Sequence, residues 1–285
     1  MGGLALANIF SGLEEFGLGN LSGMDIYDSK EKENAKKTGQ SDKPAFAEED
    51  NIFDKTYTCP VCDREFKSKT VKSGKVKLLS LDTDLRPLYE NMDPLKYDAI
   101  ICPTCGFGAL NRFFKYVSSA QANLIKSNIS VNFRGIKETG NIFNYDDAIS
   151  RHKLALVNAI VKKAKISERA YTCLKTAWVI RGKSEGLPKE TPNYDTVIEE
   201  LNTEEADFLA KAYTGFGEAF SKEDFPMCGM DEITITLLMA ELARRIGRFE
   251  EAGRWISKVL ISRDANERIK QKAREIKDMI KEQKY

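Results

Sequence analysis

At 285 residues, with 42% hydrophobic and 31% charged side chains, the chain suits one large or two ordinary globular domains rather than a disordered polymer. Its net charge of +1 excludes a global field drawing it to nucleic acid or to an anionic membrane. No apolar run approaches the length of a membrane span and no basic signal region opens the sequence, so a cytoplasmic location is expected.

Residues 1–27 place Leu6, Ile9, Phe10, Leu13 and Phe16 at helical spacing, which predicts a short amphipathic segment over 4–16. No Lys or Arg precedes Lys30, so the polar face does not suit a membrane surface, and docking on the protein's own body is expected. Residues 28–50 are rich in Lys, Glu, Asp and Ser without periodicity and read as a flexible linker.

The ordered body is predicted to begin near Asn51, where Ile52, Phe53 and Tyr57 form a short strand entering a knuckle, C-P-V-C (Cys59 to Cys62). A 39-residue insert separates it from a second knuckle, C-P-T-C-G-F-G, in which Gly106 and Gly108 follow Cys102 and Cys105. Two C-x-x-C pairs are the ligand pattern of a tetrahedral zinc site, although the insert exceeds the usual ~15–20 residues. Proline stiffens each turn, and the glycine after Cys105 lets the backbone bend toward a metal. Four thiolates leave no open coordination position. Cys59, Cys62, Cys102 and Cys105 are therefore expected to hold one structural Zn2+. Thiol redox chemistry is the competing use of C-x-x-C, but it wants one pair at a helix start in a βαβ context. Disulfides do not suit a cytoplasmic chain.

Between the knuckles, residues 64–81 alternate basic with apolar or Thr side chains, as half-exposed strands do, with a turn at Ser73-Gly74. Residues 81–94 carry turn residues and two near carboxylates, Asp82 and Asp84. Tyr97 to Ile101 reads as a buried strand running into the second knuckle. Residues 51–117 are thus predicted to be a zinc-ribbon-like β domain with an enlarged insert.

From Ser118 the pattern turns helical. Helices are predicted over 119–126, 145–164, 168–181, 204–222, 232–246, 249–262 and 265–284, with Ser167 and Asp231 as start signals and Gly182 and Gly247 as stops. Two short connections make helical hairpins. Asn158, Val161, Ala170, Leu174 and Ala177 in the first match the offsets of Ala240, Ala243, Ala252, Ile256 and Val259 in the second. G-R-F-E-E-A (Gly247 to Ala252) fits the turn of a tetratricopeptide repeat. A generic antiparallel bundle is the alternative, because three repeat units are normally needed. The fold class expected is α+β, a zinc-ribbon-like head followed by an all-α tetratricopeptide-like region over 118–285.

The two knuckles, the D-T-D-L-R-P-L-Y stretch (Asp82 to Tyr89) and D-F-P-M-C-G-M-D-E (Asp224 to Glu232) together resemble an uncharacterised bacterial family. It is typical of Firmicutes and catalogued as a domain of unknown function, and the resemblance spans Asn51 to Ile261. It implies a cytoplasmic protein with a zinc-ribbon-like head and a tetratricopeptide-like tail, and it carries no established activity.

Other constellations carry less. A-x-x-x-x-G-K-S (Ala177 to Ser184) mimics a phosphate loop, but Trp178, Val179, Ile180 and Arg181 are bulky and helical where a glycine-rich loop is required. His152, the only histidine, sits beside Arg151 and Lys153 and is expected at the surface. Asp82 and Asp84 could serve as a metal or acid–base pair, but turn and surface roles are expected. Cys173 lies on an apolar helix face and reads as core. Cys228 is a candidate reactive or partner-facing thiol, with a buried loop anchor as the alternative.

The leading function is a non-enzymatic adaptor or scaffold that holds a protein or peptide partner through the helical region. One alternative is a nucleic-acid-binding ribbon that uses Arg64, Lys67, Lys69, Lys72, Lys75 and Lys77 with Phe66 interleaved. A thiol redox protein is a second alternative. No constellation argues well for an enzyme.

Overall fold

Three two-stranded antiparallel sheets precede seven α-helices in the described residues, 46–136 and 140–284, of this computed structural model. These residues belong to one compact unit. The amphipathic segment expected over 4–16 and most of the expected linker lie outside the described residues.

Strands β1 (Ile52–Thr58) and β2 (Glu65–Val71) pair in unbroken register from Ile52↔Val71 to Thr58↔Glu65. Their inward residues Tyr57 and Phe66 face each other across the ladder and stack at 5.9 Å. Such a cross-strand aromatic pair fixes register, because a one-residue slip would turn it to solvent. Gly74 takes a left-handed φ of 74° at the expected turn, but β2 and the next strand do not pair with each other. Instead β3 (Leu78–Leu81) pairs with β4 (Pro87–Tyr89). Strands β5 (Ala99–Ile101) and β6 (Gly108–Leu110) form a short hairpin buried along its whole length.

Ser118 and Gln121 form a capping box at the start of α1 (Ser119–Ile125), which continues into a π-turn over Lys126–Ser130. Asn144 and Asp147 do the same for α2 (Tyr145–Val161). Helix α3 runs over Ile166–Glu185, α4 over Tyr194–Lys222, α5 over Glu232–Arg245, α6 over Phe249–Ile261 and α7 over Glu267–Lys284. Asp231 caps α5 by accepting from the Thr234 amide. Each helix from α2 to α7 packs against the next, while α2 also lies on β5 and β6. The main core gathers α3, α4 and α5 around Leu174, Trp178, Phe216, Ile235 and Leu238. In the hairpin of α5 and α6, the five residues read from the sequence as its contact face are all buried. Among the described residues, no helix is long and apolar enough to cross a membrane.

Several helix boundaries differ from expectation. Helix α3 continues through Gly182 and ends at Gly186, because the glycine serves a close approach and not a stop. A Cβ there would meet the Tyr145 ring at 2.8 Å and the Asp93 carboxylate at 2.9 Å. Ser167 lies inside the same helix, and its hydroxyl donates to Glu223 at 2.5 Å. Helix α4 begins ten residues earlier than Glu204, at Tyr194, just after Asn193 in a left-handed conformation. Continuous helix across 177–184 also removes any phosphate loop there.

Asp82 and Asp84 require a correction: Asp84 is fully buried, and neither is merely a surface turn residue. They occupy the connection between β3 and β4, which closes through Asp82 N–H to Arg86 O at 2.8 Å and Leu85 N–H to Asp82 O at 2.9 Å. Asp84 accepts from Trp178 Nε1 at 3.0 Å and from Arg181 Nη2 at 2.7 Å. Asp82 accepts from Arg181 Nη1 at 2.8 Å and from Arg245 Nη2 at 3.1 Å. Thr83 donates to buried Glu241 at 2.6 Å, and Glu241 takes both Arg244 and Arg245. The connection is thereby pinned to α3 and α5 by a desolvated ion network.

Replacing Asp84 by Ala leaves the Arg181 guanidinium buried with one fewer anion. The expected loss is about 3–5 kcal/mol in urea unfolding, with an unchanged slope. Asp54→Ala, at an exposed carboxylate 3.9 Å from Lys69, should change stability by under ~1 kcal/mol. A small loss in both would mean that the network is solvated.

Candidate metal centre

Each knuckle is the turn of a hairpin. Cys59 follows β1 and Cys102 follows β5, and the two turns repeat one hydrogen-bond scheme. The Cys59 N–H donates to Arg64 O at 3.0 Å and the Cys102 N–H to Phe107 O at 2.8 Å. Asp63 N–H returns to Cys59 O at 2.9 Å, and Gly106 N–H to Cys102 O at 3.0 Å. In both, the residue after the second cysteine is left-handed: φ is 59° at Asp63 and 72° at Gly106. Glycine suits the second turn doubly, since a Cβ at Gly106 would stand 2.5 Å from the Phe133 ring.

The four sulfurs converge. Cys59 Sγ lies 3.6 Å from Cys105 Sγ, Cys62 Sγ lies 3.7 Å from Cys102 Sγ, and all four are within 4.8 Å of one another. Tetrahedral zinc–sulfur bonds of about 2.3 Å put sulfurs about 3.8 Å apart, so the cluster has the dimensions of a four-thiolate site. Backbone amides face the sulfurs: Val61 and Cys62 toward Cys59, Thr104 and Cys105 toward Cys102, and Phe107 toward Cys105. Such donors favour the thiolate. With the sulfurs hydrogen-bonded to one another, Cys102 is pulled down by Cys105 and Cys59, while hydrogen bonds to Cys102 and Cys105 push Cys59 up. A cation among the sulfurs would replace the protons they share.

The surroundings are apolar. Cys59 and Cys102 are fully buried and only Cys62 is partly open. Tyr57, Phe66, Phe107 and Phe114 pack together behind the knuckles, with centroids 5.1–6.0 Å apart along the cluster. Two side chains from the helical part hold the second knuckle by its carbonyls. Ser130 Oγ donates to Cys105 O at 2.8 Å, and buried Asn158 donates from Nδ2 to Gly106 O at 3.0 Å. Sequence reasoning placed Asn158 on a helix-facing position; the structure turns it to the knuckle. A buried amide on an otherwise apolar helix face was the signal that pointed there.

The remaining candidates lie elsewhere. Arg64, Lys67 and Lys75 are exposed. Lys69 sits 3.9 Å from Asp54, Lys72 donates to Asp50 O at 2.8 Å, and Lys77 sits 3.9 Å from Glu90. Phe66 belongs to the buried aromatic cluster and presents no open ring on that strand. Cys228, left-handed at φ 49°, donates its thiol to Ser167 O at 3.3 Å, and burial pushes the thiol up to about 12. Cys173 is buried in the main core.

His152 is the second correction. It is fully buried, not at the surface, with Nδ1 2.8 Å from Ala148 O and Asp98, Lys175 and Arg151 around it. Burial pulls it down to about 4, outweighing the attraction of Asp98. Lys175 pairs with Asp98 at 3.1 Å and, against the effect of burial, holds that carboxyl below its usual range.

Gly106→Ala should open the second knuckle, weakening metal affinity at least tenfold in chelator competition; Asp63→Gly, at the equivalent position, should stay within ~1 kcal/mol of the parent in thermal unfolding. Equal effects would remove the steric account. Because the folded state depresses the His152 pKa, its neutral form contributes fully above about pH 6.5, and that contribution is lost as pH falls toward about 4. His152→Leu should flatten the stability curve across that window. An acid limb of unchanged slope would show that other groups carry it.

Compared with known families, residues 52–284 match the model of an uncharacterized protein conserved in bacteria (DUF2225). No curated protein and no solved structure matches the chain.

Proposed function

The chain belongs to that uncharacterized bacterial family, and on this premise we propose that it is a zinc-stapled, non-enzymatic adaptor whose helical half receives a protein partner. The observation that carries the reading is the closed set of four sulfurs at tetrahedral spacing, three of them buried. Zinc suits an all-thiolate tetrahedral set, being soft enough for sulfur and free of redox chemistry. Bound there, it would supply four metal–sulfur bonds and charge neutralisation. With every position taken by protein, no water or substrate is activated. What the chain's own residues do is orient the sulfurs: paired hairpins aim them, backbone amides stabilise their charge, and Asn158 and Ser130 seat the second knuckle against the helices.

The partner-binding half of the proposal is supported by the helical architecture. Helices α3 to α7 pack in sequence and leave clefts between neighbours, the geometry used by helical-repeat scaffolds to hold peptides. The hairpin of α5 and α6 has the small-residue face and G-R-F-E-E-A turn of a tetratricopeptide-like unit.

Metal analysis of anaerobically purified protein should find one zinc per chain and four thiols protected from alkylation, with protection lost on chelation. Cys59→Ser or Cys102→Ser should abolish stoichiometric zinc and lower the unfolding temperature. Absent zinc, with thiols that oxidise reversibly in pairs, would overturn the structural-metal reading in favour of redox chemistry at Cys59 and Cys62.

A further inference from the structure

A cleft of about 550 Å3 opens where α6 faces α4, beside the turn from α5. Its α6 wall is built by helical spacing: Ala252, Ile256 and Val259 are buried, which turns Glu251, Arg254, Trp255 and Lys258 to the cleft. Tyr213 of α4 supplies the opposite wall.

Two features mark this surface as more than a gap between helices. The first is that its carboxylate is already engaged. Glu251 accepts the Tyr213 hydroxyl at 2.5 Å and faces Arg248 at 3.4 Å, while Trp255 Nε1 donates to the same tyrosine oxygen at 3.1 Å. This chain of bonds locks two aromatic rings in place at the cleft, so little side-chain entropy is left to lose on binding. The second is the cations. Lys258 lies 4.1 Å from the Trp255 ring, and Arg248, paired with Glu251 at 3.4 Å, lies 5.5 Å from the Tyr213 ring. Exposed Arg254 stands one turn before Lys258 on the same wall. Exposed Glu250 is the one other acidic side chain among the lining residues.

We infer that this cleft binds an acidic peptide segment of a partner protein, its carboxylates drawn to Arg254 and Lys258 and its apolar atoms to Trp255. Charge complementarity selects the occupant: Arg254 and Lys258 line one wall, while Glu251 is already held by Tyr213 and Arg248 and only Glu250 opposes them. A basic or uncharged apolar peptide would cover Arg254 and Lys258 without bringing them an anion. The inference rests on the proposed adaptor role and names the chemistry of its partner.

Random peptides displayed on phage, selected against the zinc-loaded full chain, test it. Selected sequences should be enriched in Asp and Glu, and synthetic versions should perturb Trp255 fluorescence, since the other tryptophan, Trp178, is buried. Binding should weaken at least tenfold from 50 to 300 mM salt, and at least tenfold in Arg254→Glu/Lys258→Glu, whose exposed sites keep the fold intact by circular dichroism. Selected peptides without acidic enrichment, or acidic ones indifferent to that double substitution, would overturn this site while leaving the adaptor role standing. A chain that selects no peptide at all overturns both.

Discussion

Four cysteine sulfurs within 4.8 Å of one another bring together the two ends of the segment from β1 to β6. They join a hairpin that ends near residue 71 to another that starts near residue 99, so the polypeptide between must leave and return to one point. No continuous sheet bridges them: β1 and β2, β3 and β4, and β5 and β6 are three separate ladders. Isolated two-stranded ladders are marginal in water, and those of three-residue strands more so. What the first and third share is a wall of aromatic rings behind the sulfurs, to which Tyr57, Phe66, Phe107 and Phe114 come from both sides of the insert. Convergence of the sulfurs and aromatic burial are therefore two parts of one constraint, because the sulfurs meet only when the rings do.

The excursion between the knuckles is anchored differently. Leu78, Leu79 and Leu81 of β3 are all exposed and only Leu85 of the connection packs on the main core, so apolar burial does little to position that hairpin. Its place is set by Asp82, Thr83 and Asp84 reaching into α3 and α5. Buried ion pairs return little net stability over an apolar substitute, because desolvation offsets attraction. They are intolerant of misplacement, however: a shifted loop would strand Asp84 without a cation and deprive buried Arg181 of two carboxylates. The network thus fixes one placement for a segment with few hydrophobic contacts.

Much of this was legible in the sequence, for reasons that also explain what was not. Paired C-x-x-C turns report their chemistry locally, and the cap at Asp231 and the apolar spacing of α5 and α6 mark helices within a few residues. The ion network reports nothing locally. Asp84 and its partner Arg181 are 97 residues apart, and D-T-D-L-R-P has the composition of an exposed turn. His152, flanked by Arg151 and Lys153, looked solvated, yet α2 buries that face against Asp98 and Lys175. Gly182 was read as a terminus because a glycine's effect on helix propensity is visible in sequence, whereas the Tyr145 ring it admits is not. The early start of α4 was missed although Val197 and Leu201 already sit four apart, since Pro192 and Asn193 signal a loop as strongly as a helix start.

The same contacts order the molecule's stability. Helices α3 to α7 share a continuous apolar core, which Leu95 and the α2 residues Ala148 and Ile149 also join. Helix α2 is different: one side meets α3 and the other covers β5 and β6, where Gly108 approaches the Ala155 backbone and Asn158 holds the Gly106 carbonyl. A metal on the four sulfurs would lock the second knuckle, the surface on which half of α2 is seated, adding to the hairpin bonds and the Ser130 and Asn158 contacts that already hold it. A shift of that knuckle would take the Gly106 carbonyl from the fully buried Asn158 amide, unfavourable by about 1–3 kcal/mol. Loss of such a metal would therefore be felt through α2 before it reached the contacts among α3 to α7.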